Sequence, residues 1–559
     1  MIKYKFLPSK IKHWTQTKYK ENIFWSTGLS PSKVNTYKEL IIKSINNKNK
    51  LVDVLNSIDQ NFALIIINKE FAFIAVDHAR TYPIYFSLHK NYYYFSPQAD
   101  EINQILHCSV NNEQRLAFQM SGYTTSRNTL WKDIKSLNAG NAYTFIKNKE
   151  PIVTNYFTYK PWENHLTQNV SFNTRLKNKI YTVLNKLIDE ARGRTISIPL
   201  SAGLDSRLIA SGLKHFGYKN VKCFSYGKKN NFEAIAAKKI AKKLGYPWKF
   251  CEINRVNINK FYQTETFKNF IKNTNDGVAT VGIQDVYAIY YLKKINFIKK
   301  NDIIVNGNSG DFISGGHIPI EYKNNPYLLN KKNSNNYKSI INSIIKIHIK
   351  KHYFLWGELY NKKNKKIISN LLINQINELN IHNTKNINSH GLLEYLEFNN
   401  RQSKYVINLQ RTYDFYNQKW KLPLWDKDFM HFWAQVPLNL KLGQKLYKDV
   451  LKELNFSGVW TKEYNLQYKI PSLRVTLIRG FLKALHIFSS KENWHKFERR
   501  YILYWTDNLY GLNIRSYKEI ISNKNDARNS ISWLSLDSEK ITLGNNWQEK
   551  FFQKKKKYG

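Results

Sequence analysis

Acidic residues are scarce in this chain: its 559 residues hold 41 Asp and Glu against 87 Lys and Arg, a formal net charge of +46. A charge of that size can steer a protein toward nucleic acid or an anionic membrane face. The basic residues are spread along the chain rather than gathered in one arm, and the heavy use of lysine, asparagine, isoleucine and tyrosine fits AT-rich codons. Composition therefore disfavours a nucleic-acid partner as the source of the charge. Cysteine is scarcer still. Cys108, Cys223 and Cys251 have no metal-ligand spacing, and three cysteines in a chain of this length argue against a disulfide framework and point to a reducing cytoplasm. Long apolar runs are missing too. The best, Asn61 to Ala75, is broken by Asn68, Lys69 and Glu70, short of the eighteen or so residues a membrane span needs. Met1 to Pro8 lacks the apolar core of a signal peptide. The length calls for more than one domain.

What is present is organised around Thr195 to Ser206, T-I-S-I-P-L-S-A-G-L-D-S. Its β-branched start predicts a buried strand. Ser201-Ala202-Gly203-Leu204-Asp205-Ser206 predicts a tight turn, and Arg207 to Gly217 a helix ending in glycine. Backbone N–H groups at such a turn make an anion site, so Leu200 through Ser206 are candidate phosphate-binding residues. A strand at Asn220–Gly227, a helix at Glu233–Gly245 and a strand at Trp248–Ile253 follow. This alternation predicts a parallel sheet with its ligand at the carboxyl ends of the strands, where Tyr226 and Gly227 fall. A further strand, Asp302–Asn306, opens into G-N-S-G-D-F-I-S-G-G-H, Gly307 to His317. Glycines directly after a strand let a ligand approach the backbone, which adds Asn306 and Gly307 to the set. Asp205 and Asp311 would supply hard oxygen ligands suited to Mg²⁺ on a phosphate.

The N-terminal third predicts hairpins: Phe62–Ile67 with Phe71–Val76, then Ile84–Ser87 with Tyr92–Ser96. Tyr159 to Gln168 looks like a linker, Ser171 to Arg192 like a helix with Ile180, Val183, Leu184 and Leu187 on one face. Asn330–Asn336 looks like a loop, and Lys554–Lys557 like a solvated end. Arg474 to Phe488 is basic and amphipathic, open to anionic lipid or to a docked helix.

S-A-G-L-D-S resembles the S-G-G-x-D-S loop of ATP pyrophosphatases, with Ala202 for the first glycine. Gly307 to Gly316 resembles the G-x-G-x-D-E-x-x-G-G motif of asparagine synthetases. Asp77 to Phe86, Leu130 to Gly140 and Lys421 to Asp426 (K-L-P-L-W-D) resemble further segments of that family. The resemblance implies an α+β, Ntn-type glutaminase-like domain at 1–155. It also implies an α/β parallel-sheet synthetase domain of the adenine-nucleotide hydrolase-like kind at 170–455, then a helical extension at 456–559. It further implies an ATP- and Mg²⁺-dependent ligase that adenylates a carboxylate, releases pyrophosphate and passes an amine to the acyl group. Tyr226 and Gly227 would then meet adenine through backbone groups, and Lys448 would fall where a lysine stabilises the departing pyrophosphate, with Asp311 beside it.

Three further positions depart from the family. Ile2 stands where those glutaminases carry their nucleophilic cysteine, so the chain is expected to hold a dead glutaminase fold. The amine would then be free ammonia, ammonia from a separate glutaminase, or an amine on the substrate. Asn308 and Phe312 replace acidic residues and are expected to reshape the acceptor side. The runs G-N-S-G-D-F-I-S-G-G-H and L-P-L-W-D look like those of relatives tied to bacterial surface-polysaccharide synthesis, which implies a small-molecule or sugar (uronic) carboxylate as acceptor. Asparagine synthesis with ammonia, a tRNA-modifying enzyme and a nucleotide-binding scaffold are the alternatives. A cytoplasmic chain, peripheral contact with the inner membrane face and a homodimer are all compatible with these features.

Overall fold

The structure is a computed structural model. It describes residues 3–8, 14–147, 149–163, 171–319, 321–322, 337–381, 387–465, 472–506, 512, 515–523 and 525–544. The expected loop at 330–336 and the lysine tail at 554–557 lie outside these residues.

Among the described residues the N-terminal region holds ten strands: β1 (Lys3–Phe6), β2 (Thr15–Tyr19), β3 (Asn22–Thr27), β4 (Ala63–Ile67), β5 (Phe71–Val76), β6 (Tyr85–His89), β7 (Tyr92–Ser96), β8 (Lys135–Ser136), β9 (Asn141–Ile146) and β10 (Ile152–Asn155). Both expected hairpins are present, as antiparallel β4/β5 and β6/β7 pairs. The strands form a six-stranded sheet, β10-β9-β5-β4-β3-β2, and a four-stranded sheet, β1-β7-β6-β8. Side chains alternate between the faces of a strand, and β4 shows the consequence. Its Leu64 and Ile66 pack with Ile41, Leu51 and Leu55 of the helices Pro31–Ser44 and Lys48–Ser57. Its Ile65 and Ile67 face Phe95 of the second sheet. The sheets thus share one core, with helices on the outer face of the larger.

The second region carries β11 (Ile196–Pro199), β12 (Val221–Gly227), β13 (Trp248–Glu252), β14 (Ile303–Val305) and β15 (Lys419–Lys421). They form one parallel sheet in the order β13-β12-β11-β14-β15. The central strands β11 and β14 are short and almost wholly buried, as a parallel sheet covered by helices on both faces requires. The helix Phe172–Ala191, capped by Ser171, lays Leu176, Ile180, Val183, Leu184 and Leu187 into this core. The helix after β11 runs Leu204–His215, three residues earlier than expected.

Two expectations change. The segment taken as a linker starts inside the core: Tyr159 and Trp162 are buried, and the Tyr159 hydroxyl donates to Glu394 at 3.1 Å. The described residues of the C-terminal extension are mostly helical, and part of it packs on the N-terminal region. Its helix Ser530–Thr542 lies on the N-terminal helix Asn112–Ser121, with Arg115 paired to Glu539 at 2.6 Å and Ser535 donating to the Phe118 carbonyl at 3.1 Å.

Arg80 ties the two sheet regions together. Fully buried, it donates to the Leu137 carbonyl at 3.0 Å, to Ser136 and Tyr85, and to the Ser403 carbonyl at 3.1 Å. Ser403 belongs to a π-helical stretch, Phe398–Val406, that also supplies groups behind the cleft described next.

Candidate active site

The carboxyl ends of β11, β12 and β14 open onto one cleft. Its walls include Ser201, Gly203, Asp205, Ser206, Tyr226, Asp285, Asn306, Gly307, Asn308 and Asp311. The Ser201–Ser206 turn is held by its own hydroxyls. Ser206 Oγ accepts from the Ser201 N–H at 3.1 Å, and Ser201 Oγ accepts from the Gly203 N–H at 3.1 Å. The turn then feeds the N-terminus of the Leu204–His215 helix, where no side chain caps the backbone N–H groups. Such free donors favour an anion. Behind the turn, buried Arg207 donates to the Ala202 carbonyl at 2.6 Å and to the Val459 carbonyl at 3.4 Å.

The second loop is pressed against the first. A Cβ on Gly307 would lie 2.8 Å from the Asp205 carbonyl carbon and 2.9 Å from the Ser206 nitrogen. A Cβ on Gly310 would meet the Asp205 carboxyl carbon at 2.7 Å. Only glycine allows this approach. It lets the Asp311 N–H donate to Asp205 Oδ2 at 2.9 Å, while the Tyr447 hydroxyl donates to Oδ1 at 3.0 Å. Burial and the nearby Asp311 charge raise the Asp205 carboxyl to about 8. Asp311 moves the other way. Desolvation pushes it up, but the hydrogen bond and charge of His317 hold it below the ordinary carboxylate range.

His317 bridges the cleft to the interior. Its Nε2 meets Asp311 Oδ2 at 3.1 Å and its Nδ1 pairs with Glu397. Burial works to lower its pKa, but the Glu397 and Asp311 carboxylates raise it to about 9. Buried Glu397 also meets Lys351 at 3.1 Å, His352 at 2.9 Å and Gln402 at 3.0 Å. Gln402 in turn accepts from Ser309 Oγ at 2.7 Å, so the same residues brace the glycine-rich loop. On the opposite wall Asp285 accepts from the hydroxyls of Tyr226 and Tyr413.

The expected residues divide accordingly. Ser201, Gly203, Asp205, Ser206, Tyr226, Asn306, Gly307 and Asp311 line the cleft. Leu200, Ala202, Leu204 and Gly227 do not. Leu200 is buried with its N–H on the Phe224 carbonyl, and Leu204 packs on the core. Gly227 has φ +129 and takes the Ile253 N–H on its carbonyl. Lys448 is exposed, its Nζ on the Gly443 carbonyl at 2.8 Å. Tyr447, one residue earlier, takes the inward direction, and successive helix residues point about 100° apart. Phe312 is buried against Tyr159 and His317, so of the two expected acceptor-side changes only Asn308 alters the cleft wall.

Asp285, Tyr447, His317 and Glu397 escaped the sequence reading. His317 ends the glycine-rich motif and was within reach of it. The other three come from segments far along the chain.

Among the residues lining the cleft there are three aspartates and no Lys or Arg. A polyanion could enter only with a cation. Two adjacent carboxylates beside free backbone donors are a donor set that fits Mg²⁺, which takes one or two carboxylates and fills its shell with phosphate and water.

The asparagine synthase family model matches residues 192–455. Residues 192–455 belong to the asparagine synthase family. The match begins just before β11 and ends after the helix that carries Tyr447 and Lys448, so this synthase domain contains the whole cleft. None of the curated proteins matches the chain. Among solved structures, an NH3-dependent NAD synthetase from Campylobacter jejuni, in complex with the nitrate ion, is similar at 14% identity, over 43% of this chain and 96% of that one, with a TM-score of 0.21. Glutamine phosphoribosylpyrophosphate amidotransferase from B. subtilis, complexed with ADP and GMP, is similar at 10% identity, over 43% of this chain and 73% of that one, with a TM-score of 0.17. Neither TM-score reaches the level of a shared whole-chain fold, and the assignment rests on the family match.

Proposed function

We propose that the chain is an ATP-dependent ligase that adenylates a carboxylate and converts it to an amide. Family membership supports an ATP-dependent amide-bond-forming ligase at the general level. The observation that carries the finer reading is the contact between the two loops, which sets Asp205 and Asp311 side by side in a cleft that also presents the Ser201 and Ser206 hydroxyls.

In this reading Ser201, Ser206 and the free N–H groups of the Leu204–His215 helix bind the β- and γ-phosphates. Asp205 and Asp311 hold Mg²⁺, which neutralises charge on the phosphates when bound. The strand end at Tyr226 and Gly227, of which Tyr226 lines the cleft, receives adenine. A carboxylate oxygen of the acceptor attacks the α-phosphorus and the bond to pyrophosphate breaks. Lys448 follows the departing charge, which requires its ammonium to leave the Gly443 carbonyl. An amine then attacks the acyl carbon, AMP leaves, and the amine's proton passes to solvent. With Ile2 in place of a cysteine, residues 1–155 are read as a glutaminase-like fold without its nucleophile. The nitrogen therefore comes from free ammonia, a separate glutaminase or the substrate. Asn308 in the cleft wall favours an acceptor other than aspartate, and a uronic acid is our candidate.

The test is product analysis of α-labelled ATP with Mg²⁺ and ammonium across a panel of amino acids, small carboxylates and uronic acids. AMP and pyrophosphate are expected with a uronic acid and not with Asp205→Ala protein. Release with aspartate alone would overturn the acceptor assignment. ADP as the product would overturn adenylation itself.

A further inference from the structure

The helix Leu473–Leu485 has no buried residue. Its partly covered positions, Val475, Arg479, Leu482 and His486, turn toward the neighbouring helix Lys491–Tyr501, where Arg479 pairs with Glu498 at 2.6 Å and His486 rests against Trp494 and Phe497. At about 100° per residue, Leu473, Leu477, Phe481, Leu485 and Ile478 span an adjacent arc of roughly 140°. These five are 58–74% exposed, and Phe488, just past the helix end, is fully exposed. Isolated exposed apolar residues need no explanation, but a contiguous apolar stripe does.

We propose that this helix lies in the surface of an anionic lipid bilayer, with the stripe inserted at the headgroup boundary. Three features select lipid over other occupants. The stripe is apolar and open to solvent along its whole length, with Phe481 and Phe488 among its exposed side chains, and bulky apolar groups of this kind insert at a headgroup boundary. The helix pair, residues 472–506, holds seven Lys or Arg against two Glu, and Arg474, Lys483, Lys491 and Lys496 among them are exposed. That complements an anionic headgroup layer, on a chain that is itself strongly cationic. Trp505 and Tyr501, both partly exposed, are residues that favour the boundary between water and hydrocarbon. No helix among the described residues is long and apolar enough to cross a membrane, so the attachment is in-plane.

The test is flotation of the full chain with vesicles of phosphatidylglycerol and phosphatidylcholine, compared with pure phosphatidylcholine. Binding to the anionic vesicles is expected, with affinity at least about tenfold lower for Leu477→Glu/Phe481→Glu at unchanged Tm. Both side chains are mostly exposed, so that variant is expected to fold. Charge reversal by Arg474→Glu/Lys483→Glu is expected to weaken binding and its salt dependence. Three results would overturn the proposal: no flotation at low salt, equal flotation of the apolar variant, or a dimer in sedimentation that the apolar variant dissolves while flotation is absent. The last would assign the stripe to a second copy of the chain.

Discussion

Substituting Gly307 by alanine tests the packing of one loop on the other without touching a charged group. The added Cβ would stand 2.8 Å from the Asp205 carbonyl carbon and 2.9 Å from the Ser206 nitrogen. Carbon atoms in contact settle at about 3.5–4.0 Å, so something must move by roughly 1 Å. The obstacles are the Asp205 Cβ, at 2.4 Å, and backbone atoms of a helix whose next turns, Leu208, Ile209 and Leu213, are buried. The glycine-rich loop is the part free to yield, and it carries Asp311. Overpacking of this kind costs about 1–3 kcal/mol, which in a domain of this size lowers Tm by roughly 2–10 °C. The functional cost is larger, because a misplacement of about 1 Å in a catalytic constellation can reduce the rate about a hundredfold. The assay pairs calorimetry with acceptor-dependent release of AMP. An alanine variant with wild-type Tm and wild-type rate would refute both the close approach and the role given to it.

Asp205→Asn is expected to abolish AMP release while raising Tm near pH 8 in Mg²⁺-free buffer, because it removes a buried charge beside Asp311; a lower Tm would contradict the raised carboxyl pKa. His317, held at about 9 against 6.5 unfolded, stabilises the fold fully below about pH 6.5 and loses that contribution as pH rises through 9. His317→Gln should therefore flatten the alkaline limb of the Tm–pH curve over that window, and an unchanged limb would remove the imidazolium from the account. Lys448→Met is expected to lower kcat at least about tenfold at unchanged Tm; an unchanged kcat would leave the pyrophosphate charge to the metal and the helix N-terminus. Arg80→Ala should cost about 3 kcal/mol or more, since it strips charged donors from two buried carbonyls that join the sheet regions. Chemical denaturation that stays a single unshifted transition would show that the joint lies elsewhere.

The parts legible in the sequence were those written locally. An apolar run that ends in small residues and restarts with helical spacing declares a strand, a loop and a helix, and it does so at both Ile196–Pro199 and Ile303–Val305. Edge elements were harder to see. β2 and β15 are rich in polar residues and pair on one side only, so neither stands out as a core strand. The second half of the cleft's chemistry was hidden for a different reason. Asp285, Glu397 and Tyr447 have no motif of their own, and tertiary packing alone brings them to the loops. At Lys448 a motif marks only a place in the chain, while the helix sets direction: the Lys448 ammonium rests on the Gly443 carbonyl and the Tyr447 hydroxyl on Asp205.

The pairing of Arg115 with Glu539 has a consequence for how the chain is made. The two residues are 424 positions apart. At roughly 5–20 residues per second of synthesis, about 20–85 s pass between their emergence. Throughout that interval the helix Asn112–Ser121 waits without its cover, so a helix synthesised hundreds of residues later closes the N-terminal region. A chain that stopped before Ser530 would lack that closure, and the damage would appear in the N-terminal sheets.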